Sequence, residues 1–240
     1  MEKDIFERIA QQLNDLSSQE GLRLISEQFS PYAVFSTSFG LEDQVITHWL
    51  ASAQLNIQIF TIDTGRLFQE TYEVFDLTQK KYNFPITSYF PCNTHVEEML
   101  KQKGPNSFYE SVENRKECCY IRKVEPLQRA LAGAKIWVTG LRAEQSANRE
   151  LMKKVEWDSQ YQLIKYNPLL KWTFDEVMAF TEVNNIPINT LHKKGFPSIG
   201  CAPCTRAVLP EEDSRAGRWW WENSKKECGL HEQKDRAETV

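Results

Sequence analysis

The stretch Ala33-Val-Phe-Ser-Thr-Ser-Phe-Gly-Leu-Glu-Asp43 decides the fold. Ala33 to Ser36 reads as a buried strand, Phe39-Gly40 as a turn, and Leu41 to Ala51 carries a helical pattern. The same unit follows at once. Ile57-Gln-Ile-Phe-Thr-Ile62 is a β-rich run that ends in Asp63-Thr-Gly65. Leu67 to Tyr82 then places Phe68, Tyr72, Phe75 and Gln79 at helical spacing. Further strands are expected at Pro85 to Tyr89, Lys135 to Thr139 and Gln162 to Tyr166. Upstream, Ile5, Ile9 and Leu13 mark one helix, and Leu22, Ile25 and Phe29 a second that Pro31 ends. Strands alternating with helices of a dozen residues predict an α/β fold, a parallel sheet with helices on both faces. Ligands of such sheets sit outside the carboxyl ends of the strands. Three strand-end turns, at 36–40, 63–66 and 140–149, are therefore expected on one rim.

The length of 240 residues suits one domain with an extension. Hydrophobic residues at 41% and charged residues at 26% describe a globular chain. A net charge of −4 argues against a general nucleic-acid binder. No run approaches the roughly 20 apolar residues of a membrane helix. The opening Met1-Glu-Lys-Asp-Ile-Phe6 is not that of a signal peptide, so the cytoplasm is the expected compartment. After Pro210 the composition turns to charged residues around Trp219-Trp-Trp221. Residues 1–208 are read as the α/β domain and 209–240 as a mobile tail.

Six cysteines in a large cytosolic chain point to thiolate ligation or thiol chemistry in preference to a disulfide framework. Cys118 and Cys119 are adjacent, and Cys201-Ala-Pro-Cys204 is a C-x-x-C turn. Neighbouring side chains on a helix diverge by about 100°. A single zinc would force both adjacent sulfurs onto one ion, whereas a cubane offers each thiolate its own iron. The pattern therefore favours a [4Fe–4S] cluster over zinc, with buried packing of the pair as the plainer alternative. Cys92, beside Pro91, is read as structural. Cys228 stands apart in the tail. Lys225, Lys226 and His231 nearby would favour its thiolate, which is the nucleophilic form, although an incidental exposed thiol fits the local sequence as well.

Between Asn114 and Lys154 ten Lys+Arg face four Asp+Glu, a surplus of six in an acidic chain. Arg142 and Arg149 follow a strand directly and could grip an oxyanion. Arg122 and Lys123 adjoin the cysteine pair, Arg206 follows the C-x-x-C, and Arg215 and Arg218 open the tail. A solvated surface charge is the ordinary reading of each. The loop from Ser36 to Asp43 has the hydroxyls and glycine of a phosphate cradle at a helix N-terminus.

Ser36-Thr-Ser-Phe-Gly-Leu-Glu-Asp43, Ile62-Asp-Thr-Gly-Arg-Leu67, Cys118-Cys119, Gly140-Leu-Arg142, Cys201-Ala-Pro-Cys-Thr-Arg206 and Glu227-Cys-Gly-Leu-His231 together resemble the assimilatory adenylyl-sulfate (APS) and phosphoadenylyl-sulfate (PAPS) reductases, a branch of the PP-loop group. The resemblance implies that Cys118, Cys119, Cys201 and Cys204 hold a [4Fe–4S] cluster and that Cys228 is the nucleophile, with Lys123 and His231 in the catalytic group. It implies adenosine near Ser36, Ser38, Gly40, Asp63, Gly65 and Arg66, and phosphosulfate near Lys123, Arg142, Arg149, Arg206, Arg215 and Arg218. The expected reaction reduces APS to sulfite and AMP through a cysteine S-sulfonate, with thioredoxin or a glutaredoxin-like dithiol as reductant. The cluster-bearing type mostly uses APS, and PAPS or both remain alternatives. The cluster is expected to act through its field on Lys123 and the sulfate. No nucleic acid or membrane partner is expected, and self-association is left open. The loop lacks the Ser-Gly-Gly-x-Asp-Ser pattern of ATP-cleaving relatives, which weighs against a tRNA-thiolating enzyme. A non-enzymatic cluster or zinc module would leave Asp63 to Arg66 and Cys228 without a task.

Overall fold

The computed structural model describes residues 3–146, 149 and 151–222. Eight α-helices and six strands alternate along most of the described chain. Helices α1 (Lys3–Asp15) and α2 (Ser18–Phe29) precede β1 (Ala33–Ser36). Then come α3 (Leu41–Ser52), β2 (Gln58–Ile62), α4 (Gln69–Tyr82), β3 (Ile86–Tyr89) and α5 (Asn93–Lys103). Helix α6 (Val112–Cys119) runs through a π-turn at Tyr120–Val124 into α7 (Glu125–Ala130). Strands β4 (Ile136–Val138), β5 (Val155–Asp158) and β6 (Leu163–Tyr166) and helix α8 (Phe174–Val183) complete the set.

The sheet order is β3-β2-β1-β4-β6-β5. Five strands are parallel, as expected. The sixth, β5, corrects the all-parallel reading: it pairs antiparallel with β6 across a turn whose Asp158 carboxylate accepts the Gln160 and Tyr161 N–H groups, each at 3.0 Å. Alternation along the central strands fills both faces. Phe35, Ile59, Val138 and Ile164 pack with α2 and α3 in one core. Val34, Phe60, Trp137 and Leu163 pack with Leu127 and Leu131 in another. Strands buried on both faces carry near-continuous apolar runs, which is why they were legible in sequence.

Local chemistry fixes the helix starts. Ser17 and Glu20 close a capping box on α2, and Thr173 and Glu176 close one on α8. The strand order reverses direction between β1 and β4, so their carboxyl ends open a crevice at the switch point.

The chain beyond residue 208 does not leave the domain at once. The Arg206 N–H donates to Gly217 O at 3.0 Å and the Trp219 N–H to Cys204 O at 3.2 Å. A Cβ at Gly217 would collide with the Arg206 carbonyl, so only glycine permits this approach. Trp219 is fully buried, and Arg215, Arg218 and Glu222 are buried with it, whereas Leu209 is exposed, so the segment packs on the C-x-x-C region from about residue 215. No helix among the described residues is long and apolar enough to cross a membrane.

Candidate active site

A cleft of about 490 Å³ occupies the switch point. Its floor is made by the loop after β1 and the loop after β4, and its walls include Lys123, His192, Gly200, Cys201, Arg215 and Arg218. That volume is of the order that small ligands and cofactors fill.

The loop after β1 is already occupied by one of its own carboxylates. The Ser38 N–H and hydroxyl both donate to Asp43 Oδ2, at 2.6 and 2.8 Å. The Gly40 N–H also donates to Asp43, and the Phe39 N–H goes to Thr37 Oγ1 at 3.0 Å. The expected phosphate cradle is therefore corrected: Asp43 takes the donors an anion would need. Ser36 Oγ accepts from Trp137 Nε1 at 2.8 Å. A Cβ on Gly140 would overlap the Asp43 carboxylate, so glycine here lets the β4 loop close on the β1 loop. Burial pushes Asp43 up to about 6, against the opposing hydrogen bonds from Ser38. The folded chain thus holds this proton more tightly than the unfolded one. Asp43 opposes stability once ionised above about 6 and stops doing so as pH falls toward its unfolded value of 3.8. Asp43→Asn is expected to flatten the stability profile between those two limits, measured by urea unfolding across that pH range.

The remaining residues expected at the substrate divide into two groups. Lys123, Arg142, Arg149, Arg215 and Arg218 line the cleft. Arg142 is neutralised there by Glu42 at 2.7 Å and Glu144 at 2.5 Å. Arg149 donates to Gln145 Oε1. Arg218 is held between Gly200, where a Cβ would strike the guanidinium, and the Trp219 ring at 5.0 Å. Asp63, Gly65, Arg66 and Arg206 are not brought to the cleft. Asp63 closes its own turn on the Gly65 N–H at 2.8 Å and accepts the Tyr72 hydroxyl at 3.0 Å. Arg66 reaches Pro105 O at 2.5 Å and lies over Phe108. Arg206 makes a two-pronged pair with Glu212, both contacts at 2.7 Å.

Cys118, Cys119, Cys201 and Cys204 converge on a second, smaller cavity beside the cleft. Adjacent cysteines face one cavity where α6 gives way to the wider π-turn. Arg66, Arg115, Arg122 and Lys123 surround the sulfurs. Cys201 and Lys123 belong to both cavities and form the wall between them. The Thr64 hydroxyl lies 3.2 Å from Cys201 Sγ. Burial pushes Cys201 up, but Lys123, Thr64, Arg218 and Arg122 outweigh it and hold the thiol below its ordinary value. Cys204, buried and facing Cys201, is pushed up to about 12. Among the described residues no group of three or more His, Cys, Asp or Glu is placed to hold a single metal ion. Four clustered cysteines ringed by cations nevertheless form a donor set whose chemistry fits a four-thiolate group of net negative charge. Cys92 lies apart, as the N-cap of α5 against Thr94.

Arg115, four residues before Cys119, pairs with Glu222 at 2.9 and 3.0 Å, with both side chains almost fully buried. Arg115→Ala would take the two-pronged partner from the buried Glu222 carboxylate, and is expected to cost about 3–5 kcal/mol in a denaturant titration. Cys228 and His231 lie outside the described residues. Of the tryptophan triplet, Trp219 is core packing, while Trp221 stands 4.5 Å from the Tyr109 ring. His192 went unnoticed in the sequence because no local pattern marks it, and Glu42 and Asp43 stood within the quoted Ser36–Asp43 motif without a role of their own.

The phosphoadenosine phosphosulfate reductase domain matches residues 32–207. A protein of Sinorhizobium fredii named adenosine 5'-phosphosulfate reductase is 52% identical over 200 residues, covering 83% of this chain and 80% of its own. One of the same name from Rhizobium meliloti is 51% identical over 200 residues, with 83% and 76% covered. Among solved structures, the phosphoadenylyl-sulfate reductase from Candida auris in complex with phosphate is similar with a TM-score of 0.73 and 29% identity, covering 87% of this chain and 98% of that one. With the switch-point cleft and the four cysteines beside it, these matches make the chain a member of the phosphoadenosine phosphosulfate reductase domain family.

Proposed function

We propose that the chain is an oxidoreductase that reduces adenylyl sulfate to sulfite and AMP in sulfate assimilation, with electrons from a thioredoxin-type dithiol. The observation that carries this is the shared wall of Lys123 and Cys201, which joins a nucleotide-sized cleft to a four-cysteine cavity. About half identity to proteins named adenosine 5'-phosphosulfate reductase supports APS as the substrate.

In this reading the nucleoside lies toward Ser36, Ser38 and Gly40. There the floor is made by Asp43, which holds the Ser38 donors, and by Arg142 with its partners Glu42 and Glu144. The phosphosulfate lies toward Lys123, Arg149, Arg215 and Arg218, whose charges offset its own. The Cys228 thiolate attacks the sulfate sulfur. An S–S bond forms, the S–O bond to phosphate breaks, and AMP leaves with the electron pair. A thiolate of the reductant then attacks Cys228 Sγ and expels sulfite. The partner's second thiol resolves the mixed disulfide, so the dithiol supplies both electrons. His231 stands three residues from Cys228 and favours the thiolate. Cys118, Cys119, Cys201 and Cys204 would hold a [4Fe–4S] cluster, one thiolate to each iron. When bound, that group supplies a fixed field beside Lys123 and the sulfate and is not required to pass electrons. A reducing, cytoplasmic setting suits this reading, since it keeps such sulfurs available as thiolates.

A sulfite-release assay with reduced thioredoxin, comparing APS with PAPS, tests the reading. APS is expected to turn over with the larger kcat/KM. Preference for PAPS would move the chain to the substrate of its Candida auris structural neighbour. No sulfite from either would overturn the assignment.

A further inference from the structure

Asp63-Thr-Gly-Arg66 has no task in the scheme above, although it is among the motifs that mark the chain. It forms a turn at the carboxyl end of β2, and Asp63 closes that turn from within. Asp63 Oδ1 accepts the Gly65 N–H at 2.8 Å, and the Tyr72 hydroxyl lies 3.0 Å from each carboxylate oxygen. Gly65 stands at φ +69°, a left-handed conformation that suits glycine. Thr64 Oγ1 accepts the Arg66 N–H at 3.2 Å and lies 3.2 Å from Cys201 Sγ. The carboxylate that the sequence offers to a nucleotide is thus engaged by the turn itself.

Other bonds of the turn run to the segments that carry the cysteines. The Thr64 carbonyl accepts the Arg122 guanidinium at 2.7 Å, in the π-turn directly after Cys118-Cys119. The Arg66 carbonyl accepts the Ala202 N–H at 2.8 Å, inside the C-x-x-C. The Arg66 side chain donates to Pro105 O at 2.5 Å and to Asn106 Oδ1 at 3.2 Å, and it lies 5.0 Å over the Phe108 ring. Phe108 belongs to the short 3-10 turn Ser107–Tyr109, which leads into α6 and so to Cys118-Cys119. Its ring packs in one apolar cluster with Cys118, Cys201 and Cys204, and the Tyr109 hydroxyl donates to Pro203 O at 2.6 Å. Arg66 therefore holds one cysteine pair through its backbone and the approach to the other through its side chain. Its guanidinium also lines the cysteine cavity.

We infer that Arg66 is a positioning residue of the four-cysteine site, fixing the separation of the Cys118-Cys119 and Cys201-Cys204 pairs, and that it is not a nucleotide contact. The inference rests on the reading that these cysteines hold an iron–sulfur cluster. Two ligand pairs distant in the chain bind one group well only where the fold presets their spacing, and partners of this outer kind commonly alter metal affinity by roughly 10–100-fold.

The test uses the full, iron-loaded chain. Loss of the visible absorption under EDTA gives the rate of iron release, and AMP titration of the same preparation reads the cleft. Arg66→Ala should release iron about tenfold faster than the natural chain and bind AMP as tightly. Its iron–cysteine stretching bands in resonance Raman should be displaced before any iron is lost, which a general loss of stability would not produce. Arg66→Lys, which keeps the charge and one donor, should recover part of the retention. If the natural chain holds iron and Arg66→Ala releases it at the natural rate with its bands in place, the inference is overturned and the cluster reading stands. Iron retained while AMP binding weakens tenfold would return Arg66 to the nucleotide and also overturn it. If the natural chain takes up no iron, the cluster reading falls and the inference falls with it.

Discussion

Cys228→Ser is expected to bind AMP as tightly as the natural chain and to release no sulfite from APS under any reductant. The reason is chemical. Among the six cysteines, four converge on the small cavity and Cys92 caps α5 away from both cavities. Under the proposed scheme that leaves Cys228 as the nucleophile. A serine hydroxyl at the same position is far weaker as a nucleophile than a thiolate at neutral pH. The nucleotide contacts proposed above come from residues of the cleft, so binding should survive. Isothermal titration with AMP and a sulfite assay on one preparation separate the two effects. Residual turnover near the natural rate would remove Cys228 from the reaction.

Cys201→Ser is expected to abolish the iron content and the broad visible absorption of the purified chain, and to lower sulfite release to background. Cys201 is held below the ordinary thiol value, against its burial, by Lys123, Thr64, Arg218 and Arg122. It also forms the partition between the cysteine cavity and the cleft. Its loss would remove one proposed ligand and the thiolate charge that faces Lys123 and Arg218. Cys92→Ser serves as the control, since Cys92 touches neither cavity, and should retain iron and activity. Iron analysis and the absorption spectrum check the first effect, and the sulfite assay the second. A Cys201→Ser chain with full iron and colour would exclude this residue as a ligand.

The central sheet was legible because its parallel strands are apolar on both faces, so Ala33–Ser36 and Gln58–Ile62 announce themselves. Strand β5, Val-Glu-Trp-Asp, was not. It is a polar edge strand whose place depends on pairing with β6. The rim rule located the strand-end loops correctly but could not say which wall each side chain faces. Arg66 turns from the cleft to the side of the cysteine cavity, where Pro105 and Asn106, about forty residues along the chain, offer it acceptors. Arg206 is taken by Glu212. Asp43 reads in sequence as an ordinary helix-start acid, and only the folded loop shows it using the donors of Ser38. His192 depends on a bend at Gly195 that no spacing rule encodes. The packing of Trp219 under Arg115 and Arg218 likewise needs the fold, since the charged composition after Pro210 suggests a free tail.

The decisive measurement is the intact mass of the full chain mixed with APS and no reductant, followed by peptide mapping. The account predicts a gain of one SO3 group, confined to the peptide that contains Cys228 and removed by reduced thioredoxin with release of sulfite. Sulfite formation with the chain never modified, or the group carried on any other residue, would contradict it.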